Sequence, residues 1–421
     1  MIYYSLLAII LFSYLFVSFK EKRFVNLLFF HLFYQGGLTI FPYCVNLTIS
    51  KSLNNIRTGD IYLFIYYFFL TIIYTFIELT RPSIKVPKKK NCPPSVNVFH
   101  LLIIFLIVFF IANIKTISEA ATNPRMYYAN SRIGGGGIYY IVLPTIVFCY
   151  LLFLWKLDYG SKRRKFKTII QVIISTILCF GVLYLFGQKA IILTAGITLL
   201  LIVYFKSPNN KRNLRFIFIA LSVFVSMIIV FGLYSLQQGV QVSNILISIA
   251  NYADYIPNFC DLVDSLNVHF YGKIFLEDSF FIYISRAVWP NKPTLFGSLT
   301  LGLYVPRLIS WTKALTGAPS FGVIGAAYAD FGFFGILLKL LYQFFFASLA
   351  KAYEEKASKE NNFWYFMLFL TFAGHTIYYV TLETFPLYQM LVVLLLYFIS
   401  KQDRTKHFNK TKLILKSAYN K

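Results

Sequence analysis

What constrains this chain most is a run of uncharged apolar residues about eighteen to twenty long, repeated from end to end. The first, "IYYSLLAIILFSYLFVSF", begins at Ile2, and similar runs recur to residue 400. Each is long enough to cross about 30 Å of hydrocarbon as a helix. In lipid the backbone must satisfy its own hydrogen bonds, so such runs fold as transmembrane helices. Composition agrees: of 421 residues 58% are hydrophobic and only 13% charged, against about a quarter charged in soluble domains. The sequence predicts an all-α polytopic membrane protein, a single integral membrane domain over 1–421.

Eleven spans are expected, at 2–19, 24–41, 61–79, 96–113, 138–155, 168–187, 190–205, 216–234, 332–350, 363–380 and 387–400. There is no internal repeat. The first run lacks a basic leader and a small-residue cleavage site, so it reads as a retained span. With the N-terminus outside, the inside segments hold 28 Lys and Arg and the outside segments 11, Lys339 lying within a span. That bias favours an external N-terminus and a cytoplasmic C-terminus. The net charge of +24 therefore belongs to short loops beside membrane spans. It points to anionic lipid headgroups and away from nucleic acid.

Two external loops break the rhythm, at 114–136 and 235–320. Loops of that length usually carry function or structure of their own. In the second, "SNILISIANYADYIPNFCDLVDSL" places apolar residues near helical spacing, which predicts amphipathic helices at the outer interface.

The chemistry available is restricted. There is no phosphate-binding GxxxxGK, no HExxH and no Cys/His cluster, so neither a metal site nor a cofactor is expected. The five cysteines show no paired spacing that suggests a disulfide framework. Within the spans only His31, His375 and Lys339 are plausible ionisable groups, with His100 near an end, and a lone membrane histidine is more often a packed, hydrogen-bonded residue. The loops are richer. The first reads "NPRMYYANSRIGGGG", with Arg125 and Arg132 ahead of four glycines, Gly136 among them. Glycines let a backbone approach an anion, and guanidinium forks match phosphate oxygens. The second holds "SRAVWPNKPTLFG", with Arg286, Trp289, Lys292 and Gly297, followed by Arg307 and Lys313. Pro290 and Pro293 stiffen the backbone around these cations. The same loop carries Asp254, Asp261, Asp264, His269, Glu277 and Asp278. Cations beside carboxylates at a membrane surface suit a reaction in which a lipid phosphate leaves and a hydroxyl gives up its proton. Any of these acids, or His269, could take that proton. Tyr127, Tyr128, Trp289, Tyr304 and Trp311 could stack on sugars, although interfacial anchoring is the commoner use of such rings.

These loops resemble those of the O-antigen polymerases, the Wzy-type oligosaccharide repeat-unit polymerases, with an arginine, ten residues and a glycine in each of two large periplasmic loops. Here Arg125 leads to Gly136 and Arg286 to Gly297. "SRAVWPNKP" is similar to that family's arginine-aromatic-proline-lysine-proline signature. "APSFGVIGAAYADFGFFG" looks like its Tyr-x-x-Phe-Gly-x-x-Gly lead into the next helix, here starting at Tyr328. A glutamate often found before that tyrosine is missing, which leaves Asp330 as the nearest acid. The resemblance implies a GT-C-like glycosyltransferase fold. It implies metal-independent polymerisation of undecaprenyl-pyrophosphate-linked oligosaccharide at the outer face of the inner membrane, with a chain-length regulator and a flippase as partners. Arg286, Arg125, Asp264, Glu277 and His269 are then expected to be catalytic. Arg132, Lys292, Arg307, Gly136, Gly297, Trp289 and Tyr328 are expected to bind substrate. An O-antigen ligase, a lipid-linked oligosaccharide flippase or transporter, and a polysaccharide acyltransferase are the alternatives. The first lacks the ligase motif around His269, the second expects charged spans and short loops, and the third has only His31 in support.

Overall fold

The structure is a computed structural model. It describes residues 2–50, 56–80, 150–155, 166–185, 189–206, 254–281, 284, 288–293, 295–310, 320–322, 324–360 and 362–377, with the isolated positions 103, 107 and 146. Among these residues every regular element is a helix. In chain order they are α1 (Ile2–Lys20), α2 (Leu27–His31), a π-helix (Leu32–Ile40), α3 (Phe41–Ser50), α4 (Thr58–Thr80), α5 (Phe166–Leu185), α6 (Lys189–Lys206), α7 (Tyr255–Ser265), α8 (Lys273–Phe280), 3₁₀ turns at Gly297–Tyr304 and Pro306–Leu308, α9 (Gly325–Glu360) and α10 (Phe363–Ile377). Helices α1, α4 and the 325–357 stretch of α9 are long and apolar enough to span a bilayer. The spans expected at 2–19, 61–79, 168–187, 190–205, 332–350 and 363–380 correspond to helices α1, α4, α5, α6, α9 and α10. The one expected at 24–41 is the start of a longer helical run from Leu27 to Ser50, which turns π-helical in its middle. Those at 96–113, 216–234 and 387–400, and most of 138–155, lie outside the described residues.

The chain forms two compact units, one of 1–84, 224–355 and 369–386, the other of 85–223, 356–368 and 387–421. In the second, Trp155 stacks on Phe366 with ring centres 4.7 Å apart, and Phe205 meets the same ring edge-on.

The first unit shows why membrane helices need polar seams. Helix α4 buries Leu63, Tyr66, Tyr67, Leu70, Thr71, Tyr74 and Ile77, a stripe at helical spacing, while Phe69, Ile72 and Phe76 face outward. Both faces are apolar, as a lipid-bathed helix requires. Hydroxyls and amides that fall inside the stripe pair with each other: Tyr67 donates to Gln35 at 3.2 Å, and Tyr74 donates to Gln343 at 3.4 Å. His31 is buried, 3.1 Å from the Thr71 hydroxyl and edge-on to Tyr74. It is thus a packed, hydrogen-bonded histidine. Lys339 is fully buried, with its ammonium 4.6 Å from the centre of the Tyr342 ring.

At the C-terminal end of α4, four charges are buried together. Arg23 pairs with Glu78 and, at 2.7 Å, with Glu354; Lys351 reaches Glu78 at 2.6 Å and Glu354 at 3.2 Å. Glu78 also accepts the Leu27 N–H at 2.8 Å. Two cations and two carboxylates thus close on each other, joining the segment after α1, the end of α4 and α9. The sequence predicts spans nearly free of charge, yet α4 holds Asp60 and Glu78 near its two ends, both buried.

Helix α9 is broken at Gly332, whose backbone (φ 61°, ψ −144°) only glycine adopts without strain. The break lets Gly335 pack on Ala327, so closely that a β-carbon there would lie 1.8 Å from the Ala327 carbonyl oxygen. The Ala329 and Asp330 carbonyls accept the N–H groups of Phe270 and Tyr271 at 3.0 and 2.9 Å. The glycines of Tyr328-x-x-Phe-Gly-x-x-Gly thus build a bend on which the segment around Phe270 and Tyr271 is seated.

Candidate functional site

The N-terminal end of α4 is where the described part of the 235–320 stretch gathers. Helix α7 lies on it at contact distance: a β-carbon on Gly59 would be 2.7 Å from the Cys260 α-carbon. Asp60 accepts bonds from Tyr3 at 2.7 Å, from the Arg57 backbone at 2.9 Å and from the Cys260 thiol at 3.3 Å. Burial, with the Asp60 charge next, pushes that thiol well above its ordinary pKa, so it stays protonated and donates.

Above this seam two guanidinium groups share one carboxylate. Arg57 meets Asp261 Oδ1 at 2.7 Å, and Arg307 meets Asp261 Oδ2 at 2.8 Å. Arg307 also donates to the buried Asn258 at 2.7 Å, which itself donates to the Ser320 carbonyl. Asp264 stands 3.9 Å from Arg57 and is half exposed. Arg57 is a residue that sequence reasoning counted only as a loop charge. Its signal was its place just ahead of an apolar run.

Three acids, Glu277 and Asp278 of α8 and Asp330 of α9, hold backbone. Asp330 accepts the N–H groups of Ile274 and Phe275 at 3.0 and 2.9 Å, so it caps the first turn of α8 from outside that helix. At the other end of α8, Glu277 accepts the Gly297 N–H at 2.7 Å and Asp278 accepts the Ser298 N–H at 2.8 Å. These two carboxylates cap the 3₁₀ turn that starts at Gly297. Glu277 also faces Lys273 at 3.7 Å. Burial pushes the Asp278 carboxyl up to about 6, the Glu277 and Asp330 charges adding to the rise and the Ser298 hydrogen bonds opposing it.

The described part of the cationic segment is closed on itself. Lys292 donates to the Ile284 carbonyl at 3.1 Å and lies 4.6 Å from the centre of the Phe296 ring. Trp289 packs edge-on against Phe281, which also touches Phe296. Tyr328 is a buried ring, edge-on to both His269 and Phe259. His269 lies against the bend, with Nε2 2.8 Å from where a β-carbon on Gly332 would be. Its Nδ1 is buried with no hydrogen-bond partner among the described residues.

The sequence-expected residues therefore divide. Arg286, Arg125, Arg132 and Gly136 lie outside the described residues, as do Lys313 and Trp311. Asp264, His269, Glu277, Lys292, Trp289, Gly297, Arg307 and Tyr328 all belong to one unit, around α4, α7, α8 and the bend of α9. Asp261, Glu277, Asp278 and Asp330 are committed to guanidinium groups or backbone N–H groups. Asp254 makes no side-chain cap bond, and Asp264 is half exposed. Among the described residues, no three His, Cys, Asp or Glu side chains converge as a metal site.

Helices with apolar outer faces and buried polar seams, three of them long and apolar enough to span a bilayer, define an α-helical membrane protein. The chain is 29% identical to the O-antigen polymerase of Salmonella typhimurium (strain LT2) over 355 residues, which is 82% of each chain. The O-antigen polymerase of Salmonella typhi matches over the same length, also at 29% identity and 82% of each chain. These homologues support the Wzy-type family read from the loop motifs. No family model matches the chain, and no solved structure does.

Proposed function

We propose that this protein polymerises undecaprenyl-pyrophosphate-linked oligosaccharide repeat units into O-antigen or capsular polysaccharide. The similarity to O-antigen polymerases over 82% of both chains carries this reading. It favours a polymerase over a ligase, a flippase or an acyltransferase. The protein is then a glycosyltransferase of GT-C-like fold that works without a metal. It sits in the inner membrane with its N-terminus periplasmic and its C-terminus cytoplasmic, and works beside a flippase and a chain-length regulator.

In this reaction an acceptor hydroxyl attacks the anomeric carbon of the growing glycan. The new C–O bond forms as the bond to pyrophosphate breaks, and undecaprenyl pyrophosphate leaves with the electron pair. Arg286 and Arg125 bind that pyrophosphate, supported by Arg307 and Arg132, with Lys292 adding charge. A hydrogen bond to a charged group contributes about 1.5–3 kcal/mol, so two or three that strengthen as the leaving group gains charge account for a large share of the barrier reduction. Asp264 or His269 receives the hydroxyl proton. The half-exposed position of Asp264 supports its part in this assignment.

The direct test is reconstitution in proteoliposomes with lipid-linked repeat units and a chelator. Glycans of rising length with release of undecaprenyl pyrophosphate are the expected products. Unchanged single units with the folded protein would overturn the reading.

A further inference from the structure

The arginine-ten-glycine spacing raises a question that a phosphate cradle would answer in one way: its glycine would offer an N–H to the substrate. The geometry at Gly297 gives a different answer. Its N–H is already donated, at 2.7 Å, to Glu277 Oε2. Its φ is +57°, a left-handed conformation that residues with a β-carbon adopt only at a cost. A β-carbon there would fall 1.8 Å from Asp278 Oδ1 and 2.3 Å from its carboxyl carbon. The Asp278 carboxylate is 7% exposed and bonded to the Ser298 N–H, so it cannot simply swing away. This position must be glycine because two adjacent carboxylates of α8 grip the backbone here.

The grip closes a chain of supports. Asp330, beside the bend of α9, caps the start of α8. The end of α8 presents Glu277 and Asp278, and these cap the turn at Gly297, where the cationic segment ends. Inside that segment Lys292 and Trp289 are tied down by Ile284, Phe296 and Phe281. The segment is therefore anchored at its glycine end to the same bend on which Phe270 and Tyr271 are seated.

We infer that Glu277 and Asp278 are positioning residues that clamp the backbone at Gly297 and Ser298, so that the described part of the cationic segment, 288–293 and 295–297, is held in one geometry toward an anionic substrate. This rests on the polymerase reading. It departs from an assignment of Glu277 as a proton acceptor and of Gly297 as a substrate-binding N–H.

The test is a suppression experiment. Gly297→Ala, Asp278→Ala and the double variant are reconstituted with lipid-linked repeat units, and turnover is expressed per folded protein. Gly297→Ala is expected to lose about a hundredfold, the scale of a misplacement near 1 Å at a reacting centre. Asp278→Ala loses roughly tenfold, the scale of one hydrogen bond to a charged group. In the double variant the β-carbon has the space the carboxylate occupied, so turnover rises well above the Gly297→Ala level, short of the Asp278→Ala level by the cost of a positive φ at alanine. A double variant as inactive as Gly297→Ala would mean that the glycine faces the substrate itself, and the inference falls. So it does if Gly297→Ala folds poorly but turns over normally per folded molecule, because the clamp is then structural only. Absence of polymer from wild type would instead defeat the polymerase reading.

Discussion

Arg23 and Glu354 stand 331 residues apart in the sequence and meet at 2.7 Å inside the protein. With Glu78 and Lys351 they form a neutral set of four buried charges. Glu78 is the member with most to lose, since Arg23, Lys351 and the Leu27 N–H all depend on it. Removing one partner from a buried ion pair costs about 3–5 kcal/mol. Glu78→Ala is expected to cost at least that, seen as a lower unfolding temperature and a smaller monodisperse fraction in detergent. Unchanged unfolding would show that the four charges contribute nothing to the fold.

Asp330 separates two readings of the same acid. As a cap it needs an oxygen that accepts N–H groups; as a proton acceptor it needs a charge. Asp330→Asn keeps an oxygen for Ile274 or Phe275 and is expected to retain polymer formation. Asp330→Ala loses the cap, about 1 kcal/mol of α8 stability, and shortens the glycan ladder. Equal and complete loss in both variants, with normal protein levels, would make Asp330 the base.

Asp278 gives the pH dependence its sign. Its carboxyl rises from 3.8 to about 6 on folding, so the folded state holds the proton more tightly than the unfolded chain. Its contribution to stability is fully present below about pH 4 and is lost as pH rises through 6. Wild type should therefore unfold at higher temperature at pH 5 than at pH 7.5, on account of this group. Asp278→Asn should flatten that difference. A variant with the wild-type slope would place the titration elsewhere.

Arg57 and Arg307 act on one another through Asp261. Substituting Asp261 leaves two guanidinium groups without their shared partner, so Asp261→Ala should destabilise more than Arg57→Ala. Residues in one ion-pair network couple by about 0.5–3 kcal/mol. A double-mutant cycle on Arg57 and Asp261, read by thermal unfolding, should fall toward the low end, because both side chains are partly exposed. A coupling of zero would reduce the bridge to a crystallographic-style contact without energetic weight.

Helices α1 and α4 were legible because lipid admits few solutions: long apolar runs become helices, and both match their expected ends within a few residues. Helix α7 was legible in the same way, since Ile256, Phe259, Cys260 and Leu262 give it one buried face. What remained hidden depends on partners far away in sequence. Nothing local to Asp330 announces that it caps a helix 56 residues earlier. Nothing local to Arg23, Lys351 and Glu354 distinguishes them from loop charges beside a membrane, although Glu78 at the end of an apolar run was a signal. Gly297 was found through a spacing, but its cause is the Asp278 carboxylate across the turn, which no spacing reveals. Arg57 needed α7 to be laid over it before its partner could be seen.

The central claim is that the protein joins repeat units, with Arg286 at the working centre. The measurement is a glycan ladder from a strain lacking the gene, complemented with wild type, Arg286→Ala or Arg286→Lys at matched protein levels. The account predicts single repeat units on the lipid core in the deletion strain and a full ladder restored only by wild type. Lysine fails because it lacks the bidentate fork. A full ladder from Arg286→Lys would contradict the phosphate clamp, and loss of even the single-unit band on deletion would contradict the polymerase itself.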